Sequence, residues 1–358
     1  MKRYAGKVGR DGLKPWSTAL IAAIMCLSGA GVAAQTRVTV SEGCLNQRMR
    51  GVSLAGAEFN PTRVPAQHFR DYIYPSASQY PLFSDMGASV FRLPIAWERV
   101  QPTLFSDLDA AQVSLLRTAY DNARKSGDCL LIDLHNYGTH QGRSLGSSEV
   151  PQGALLDFWS RLAAVLPDDR HVALGLMNEP VRVSTAAWSR LAQEVVLGLR
   201  HAGARHYVMV AGGGWSGAHS WFKSDGSGVS SATAFANFQD PLDRSYFEVH
   251  QYADGNYSGT GNTCQSADAI VPFLAAVGNW AESNGQKMFL GEFGVADNRA
   301  CLATLQAMLE HISNRPKAWA GWSYWAAGEW MTEYPLTAQP TATRVPGPLK
   351  TLQRYFNR

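Results

Sequence analysis

Charge is sparse in this 358-residue chain: Asp, Glu, Lys and Arg make up 17% of it against 46% hydrophobic residues, with 11 Trp and 13 Tyr. That composition suits a folded protein that keeps aromatic rings for a surface or cleft. Several signatures are missing. No dense Lys/Arg patch follows the N-terminal stretch, which removes the electrostatic case for nucleic acid. No Cys-x-x-Cys spacing occurs, which argues against zinc or thiol redox chemistry. The stretch GVSLAGAEF from Gly51 lacks the G-x-G-x-x-G spacing of a dinucleotide fingerprint. No close-set His/Asp/Cys group suggests a catalytic metal, and His201 and His206, flanking a helix end, are expected at the surface. Neither metal nor cofactor is therefore expected. No Pro/Ser/Thr-rich linker divides the chain.

What is present begins with Lys2, Arg3, Lys7, Arg10 and Lys14, followed by the apolar run ALIAAIMCLSGAGVAA from Ala19 to Ala34. Small residues just before Gln35 offer cleavage points, so residues 1–34 read as a secretory signal peptide and 35–358 as a single domain. The run is short for a membrane span and is broken by Ser28, Gly29 and Gly31. Met25 before Cys26 is bulky for a lipid-attachment signal. The expected destination is secreted, extracellular or periplasmic, with no stable membrane partner. Removing residues 1–34 takes five basic side chains and Asp11 away, leaving 27 basic against 28 acidic, so the formal charge of +3 falls to about −1. Four cysteines remain, Cys44, Cys129, Cys264 and Cys301. They allow three full pairings and are too few and too widely spaced to build a fold.

Short apolar runs then alternate with longer helical patterns. Strands are expected from Arg50, Ser89, Cys129, Val172, Tyr207, Ser245, Lys287 and Trp319, and helices near 107–126, 151–166, 184–203, 268–284, 299–314 and 346–356. Eight strands in series, most followed by a helix or long loop, make a closed (β/α)₈ TIM barrel the economical reading.

The strand ends carry the chemistry. The run VALGLMNEPV from Val172 ends in Asn178, Glu179 and Pro180, and a proline there closes a buried strand. Arg92 on the second strand, His135 and Asn136 on the third, His250 and Tyr252 on the sixth, Glu292 on the seventh and Trp325 on the eighth reach the same register. In a barrel such residues converge over one cleft. Glu179 and Glu292 face each other across it, and a pair of carboxyl groups is what glycosidic cleavage requires. A gap of about 5–5.5 Å would mean retention, and one of about 6.5–9.5 Å would admit an inverting water.

The ordered series Arg92-Leu-Pro, Trp97-Glu98, His135-Asn136-Tyr137, Asn178-Glu179-Pro180, His250-Gln-Tyr252, Gly291-Glu292-Phe-Gly294 and Trp325 resembles glycoside hydrolase family 5 over about residues 48–355. The resemblance implies a retaining enzyme with Glu179 as acid/base and Glu292 as nucleophile. It makes Arg92, His135, Asn136, Asn178, His250 and Tyr252 supporting polar residues and Trp325 the aromatic floor. RGVSLAGAEFN, LIDLHNY, HQYADGNYSGT and WSYWAAGEW look like the endo-β-1,4-glucanases of that family, whose cleft-lining aromatic matches Trp215. In the loop YGTHQGRSLG, His140 stands where relatives often carry Trp. The likeness further implies a Cys264–Cys301 disulfide, with less support for Cys44–Cys129. A monomer acting on β-glucan is expected. Mannan, glucomannan or xyloglucan are the alternative polymers, and a non-catalytic carbohydrate-binding barrel is the alternative role.

Overall fold

Eight runs of residues buried on both faces form the staves of a closed parallel barrel in the computed structural model, which describes residues 42–46 and 48–357. The segment read as a signal peptide lies outside the described residues. In chain order the strands are β1 Met49–Leu54, β2 Val90–Ile95, β3 Cys129–Leu134, β4 Val172–Gly175, β5 Tyr207–Ala211, β6 Ser245–His250, β7 Met288–Glu292 and β8 Trp319–Ala327. Each pairs in parallel with its sequence neighbours, and β1 closes on β8, with Met49 opposite Gly321. Parallel strands covered outside by helices and filled inside by side chains have no polar face, which is why the runs are nearly continuously apolar.

Besides a single helical turn at Trp97–Val100, the helices are α1 Gln79–Ser84, α2 Ala110–Lys125, α3 Gly153–Val165, α4 Thr185–His201, the four-residue α5 Ser231–Ala234, α6 Ala267–Ser283, α7 Arg299–Ser313 and α8 Gly347–Gln353. Side-chain caps fix several starts. Asp109 accepts from the backbone N–H of Gln112 and Asn298 from that of Cys301. The six helices expected from periodicity are found, whereas α1 and α5 were too short to produce one. A large apolar cluster packs the helices on the barrel. A smaller one, including Val90, Leu131, Met209, Tyr246 and Phe289, contributes inward residues near the strands' N-terminal halves.

Two disulfides are present. Cys44–Cys129 ties the segment before β1 to the start of β3, and Cys264–Cys301 ties the loop after β6 to the first turn of α7, on the rim that carries the strand ends. His201 is exposed, but His206 is buried, a correction to its expected surface position. The turn from α4 into β5 aims its ring inward, where Nε2 donates to the Leu166 carbonyl at 2.8 Å. Among the described residues no helix is long and apolar enough to cross a membrane.

Candidate active site

Strand alternation decides what points into the barrel. Along β3, Leu131, Asp133 and His135 share a face, as do Val90 and Arg92 on β2, and Tyr246, Glu248 and His250 on β6. On β7 the same rule would send Phe289 and Gly291 inward and Glu292 outward. An irregularity intervenes: Val249 pairs with Leu290 but His250 with Glu292, so the ladder skips Gly291. Such a bulge re-aims the following side chain, and Glu292 is brought alongside His250. Glu179 reaches the rim differently. The chain leaves β4 after Gly175, the N–H of Asn178 bonds the Leu134 carbonyl at 2.8 Å, and Glu179 takes φ +40°. A non-glycine residue in that region is strained, a state that persists where the surroundings over-determine it.

Arg92, fully buried, organises the floor. Its Nη1 donates to Glu292 at 2.8 Å and its Nη2 to the Asn178 side-chain oxygen at 2.7 Å. It also ion-pairs with Asp133 at 3.1 Å and, through Nε, with Glu248 at 3.1 Å. Tyr252 donates its hydroxyl to Glu292 at 2.9 Å. His250 bridges Glu179, 2.7 Å from Nδ1, and Glu248, 3.2 Å from Nε2. His135 points Nδ1 at Asp133, 2.8 Å away, and lies nearly parallel to Trp325, with ring centroids 5.2 Å apart.

These contacts separate the two rim glutamates electrostatically. Burial works against the charge on Glu292, but His250, Arg92, His135 and the Tyr252 hydroxyl outweigh it and hold the carboxyl below its ordinary range. Burial raises Glu179, reinforced by the neighbouring Glu292 charge against the pull of His250. Burial likewise disfavours charge on His250, yet Glu292, Glu179 and Glu248 together push the ring up to about 10. Two carboxyl groups biased toward opposite protonation states are the arrangement that acid–base division of labour needs.

Of the residues singled out from sequence, Arg92, His135, Asn178, Glu179, His250, Tyr252, Glu292 and Trp325 form one connected group around the barrel mouth. Trp215 stands on the loop after β5, 57% exposed and edge-on to Tyr137 at 6.1 Å. Asn136 lies behind this group. This corrects its expected place in the cleft: its amide is consumed by the Trp97 N–H at 2.7 Å and by Glu98, because it stands one step out of phase with His135. His140 is also buried, bonding the Gln101 carbonyl at 2.9 Å beneath Trp97, so it does not occupy the cleft position of the absent Trp. Asp133 and Glu248 were not singled out. Both had a signal: an acid inside an apolar strand, two residues before a rim histidine.

One donor atom each from Glu179, His250 and Glu292 lies within 4.8 Å of the others, close enough to surround a small cation. Each of those atoms already has a partner within the protein, His250 Nδ1 with Glu179 and Nε2 with Glu248, and the two Glu292 oxygens with Arg92 and Tyr252. The donor set therefore does not fit a metal.

A buried carboxylate and a raised carboxyl facing one aromatic-rimmed groove of a (β/α)₈ barrel define a glycoside hydrolase. The sequence model of the cellulase family, glycosyl hydrolase family 5, matches residues 52–328, and the chain belongs to that family. It is 31% identical over 308 residues to endo-beta-1,4-glucanase B of Aspergillus niger, covering 86% of this chain and 89% of that one. An endoglucanase of Phanerodontia chrysosporium described as manganese dependent is 30% identical, covering 90% of this chain and 84% of that one. Among solved structures, an endo-beta-1,4-glucanase of Xanthomonas axonopodis pv. citri carrying three substitutions is 40% identical with a TM-score of 0.84, over 87% of this chain and 99% of that one. XacCel5A in complex with cellopentaose is 41% identical with a TM-score of 0.83, over 86% of this chain and 99% of that one.

Proposed function

We propose that the enzyme cleaves internal β-1,4-glucosidic bonds of cellulose or a related β-glucan with retention of configuration, Glu292 acting as nucleophile and Glu179 as acid/base. The observation that carries this reading is proximity: carboxylate oxygens of Glu179 and Glu292 come within 4.8 Å. So close an approach suits direct attack and is nearer a retaining pair's separation of about 5–5.5 Å than the gap of about 6.5–9.5 Å that admits an inverting water. A Glu292 oxygen attacks the anomeric carbon while Glu179 gives its proton to the departing glycosidic oxygen. Water then attacks the glycosyl-enzyme, Glu179 takes the water's proton, and the bond to Glu292 breaks. Asn178, its oxygen held by Arg92 and its nitrogen 3.4 Å from the His135 Nε2, offers its second N–H to a sugar hydroxyl, and Trp325 and Trp215 offer apolar faces to sugar rings.

The glucan preference draws on the endo-beta-1,4-glucanases among the relatives and on the cellopentaose held by XacCel5A. Proton NMR of the first products from a cellooligosaccharide should show the β-anomer, followed by slow mutarotation. Initial α-product would mean inversion. Rates compared across carboxymethyl cellulose, β-glucan, glucomannan and xylan should be highest on the two glucans, and a maximum on glucomannan or xylan would reassign the polymer.

We do not carry the manganese dependence of the Phanerodontia relative over to this chain, because both His250 ring nitrogens already face carboxyl oxygens. Dialysis against EDTA should leave the rate unchanged. A loss restored by Mn²⁺ would overturn that expectation. The N-terminal basic and apolar pattern and the two disulfides support export and oxidative folding of residues 35–358, which we propose act as one monomeric domain. Intact mass of the exported protein and light scattering test this directly.

A further inference from the structure

Glu248 takes no part in the reaction just described, yet it is among the most constrained side chains of the barrel. It is buried on β6, and one carboxylate oxygen, Oε1, meets both the Arg92 Nε at 3.1 Å and the His250 Nε2 at 3.2 Å. The space it occupies is kept open by Gly291, where a Cβ would stand 1.9 Å from that oxygen. No side chain fits there without displacing the carboxylate, so the residue before Glu292 is tied to the position of Glu248.

We infer that Glu248 is a positioning residue that holds the His250 ring as a two-ended donor, with Nδ1–H fixed on Glu179, so that Glu179 sheds its proton beside a standing positive charge. A neutral imidazole has one N–H and one acceptor nitrogen, and both nitrogens here face carboxyl oxygens. The groups facing the ring are Glu248 on its own strand, Glu179 from the β4 end and Glu292 from β7. Arg92 on β2 and the Asp133–His135 pair on β3 stand beyond them, and on the β5 side the Ser216 carbonyl accepts the His250 backbone N–H. The sum of that surrounding charge also raises the ring. When Glu179 protonates the leaving oxygen it becomes a carboxylate, and a fixed imidazolium at 2.7 Å stabilises that charge as it develops. Removing the Glu248 charge strips Nε2 of its carboxylate while Glu292 and Glu179 still face Nδ1, so the ring loses part of what keeps it protonated and gives up its proton at lower pH than in the wild type.

This inference rests on Glu179 being the proton donor, and its test separates the two. In the wild-type enzyme, long-range ¹H–¹⁵N spectra of the histidine rings should show His250 protonated on both nitrogens from pH 5 through neutrality. Titration near 6.5, or an Nδ1 without a proton, would overturn the inference without any variant. In Glu248→Gln, kcat/KM on cellotetraose should fall with deprotonation of the His250 ring, about one pH unit below the wild-type limb set by Glu179, with near wild-type activity at pH 5, where the ring recharges. Hydrolysis of a dinitrophenyl cellobioside, whose leaving group needs no proton, should change less than twofold. Equal losses on both substrates at every pH would mark Glu248 as structural only and sink the inference. Azide rescue of Glu179→Ala reports the donor's identity independently of either outcome.

Discussion

Glu292→Ala should lose turnover by roughly 10²–10⁴ or more, the usual scale for removing an acid–base or nucleophilic group. Added azide should restore sugar release and give an α-configured glycosyl azide, because the small anion fills the vacated space and displaces the leaving group directly. Glu179→Ala should fail on cellooligosaccharides to a similar degree yet still form the glycosyl-enzyme from a dinitrophenyl cellobioside. Azide there should give the β-configured product, since it attacks an intermediate that Glu292 has already made. The two stereochemical outcomes are opposite, so exchanged product configurations would exchange the roles. Rescue of neither variant would remove both residues from the reaction. The pH profile has a matching shape. Activity should persist below the ordinary carboxylate range, because Glu292 stays ionised there, and should fall on the alkaline side as Glu179 deprotonates.

Arg92→Met should be the most destabilising single change in the barrel. The guanidinium, itself fully buried, meets Asp133, Glu248 and Glu292. Replacing it with an apolar chain leaves three buried acids without their cation, a defect that typically costs about 3–5 kcal/mol. Urea denaturation followed by circular dichroism should show the loss, together with near-complete loss of activity. The sign of its pH dependence follows from the acids. Glu248 and Glu292 are held below their ordinary values in the wild type, so the stability they lend is complete above about pH 4.3 and drains as pH falls through their folded values. In the variant those acids take up protons readily, so the gap between the proteins should be widest at neutral pH and narrow toward pH 4. A gap that is constant with pH would show that lost packing, not lost charge, explains the effect.

The barrel is legible in the sequence because parallel strands wear their burial openly, as apolar runs whose polar residues sit at one end. The rim residues followed from that register, and the family resemblance sharpened their roles. Residues whose position depends on phase were harder to read. Asn136 borders His135 in sequence but faces the opposite side of its strand, so adjacency was a poor guide where alternation would have been a better one. Glu292 reverses that lesson, since strict alternation on β7 would have turned it outward and only the bulge at Gly291 brings it in. Asp133 and Glu248 hid inside apolar runs, although each repeats the pattern acid, spacer, histidine on its strand. His206 and His140 depended on which way a loop returns across a helix, information that no local spacing contains.

Closure of the barrel by β1 on β8 has a consequence for how the chain reaches this state. Met49 finds its partner only when Gly321 is available, and Arg92 meets Glu292 200 residues later. A chain that stops after α7 has two unpaired sheet edges and no Trp325 beneath its cleft. High contact order of this kind makes folding slow and places it after synthesis of nearly the whole chain. The same topology that concentrates chemistry at one rim thus keeps the nascent polypeptide open until its last strand arrives.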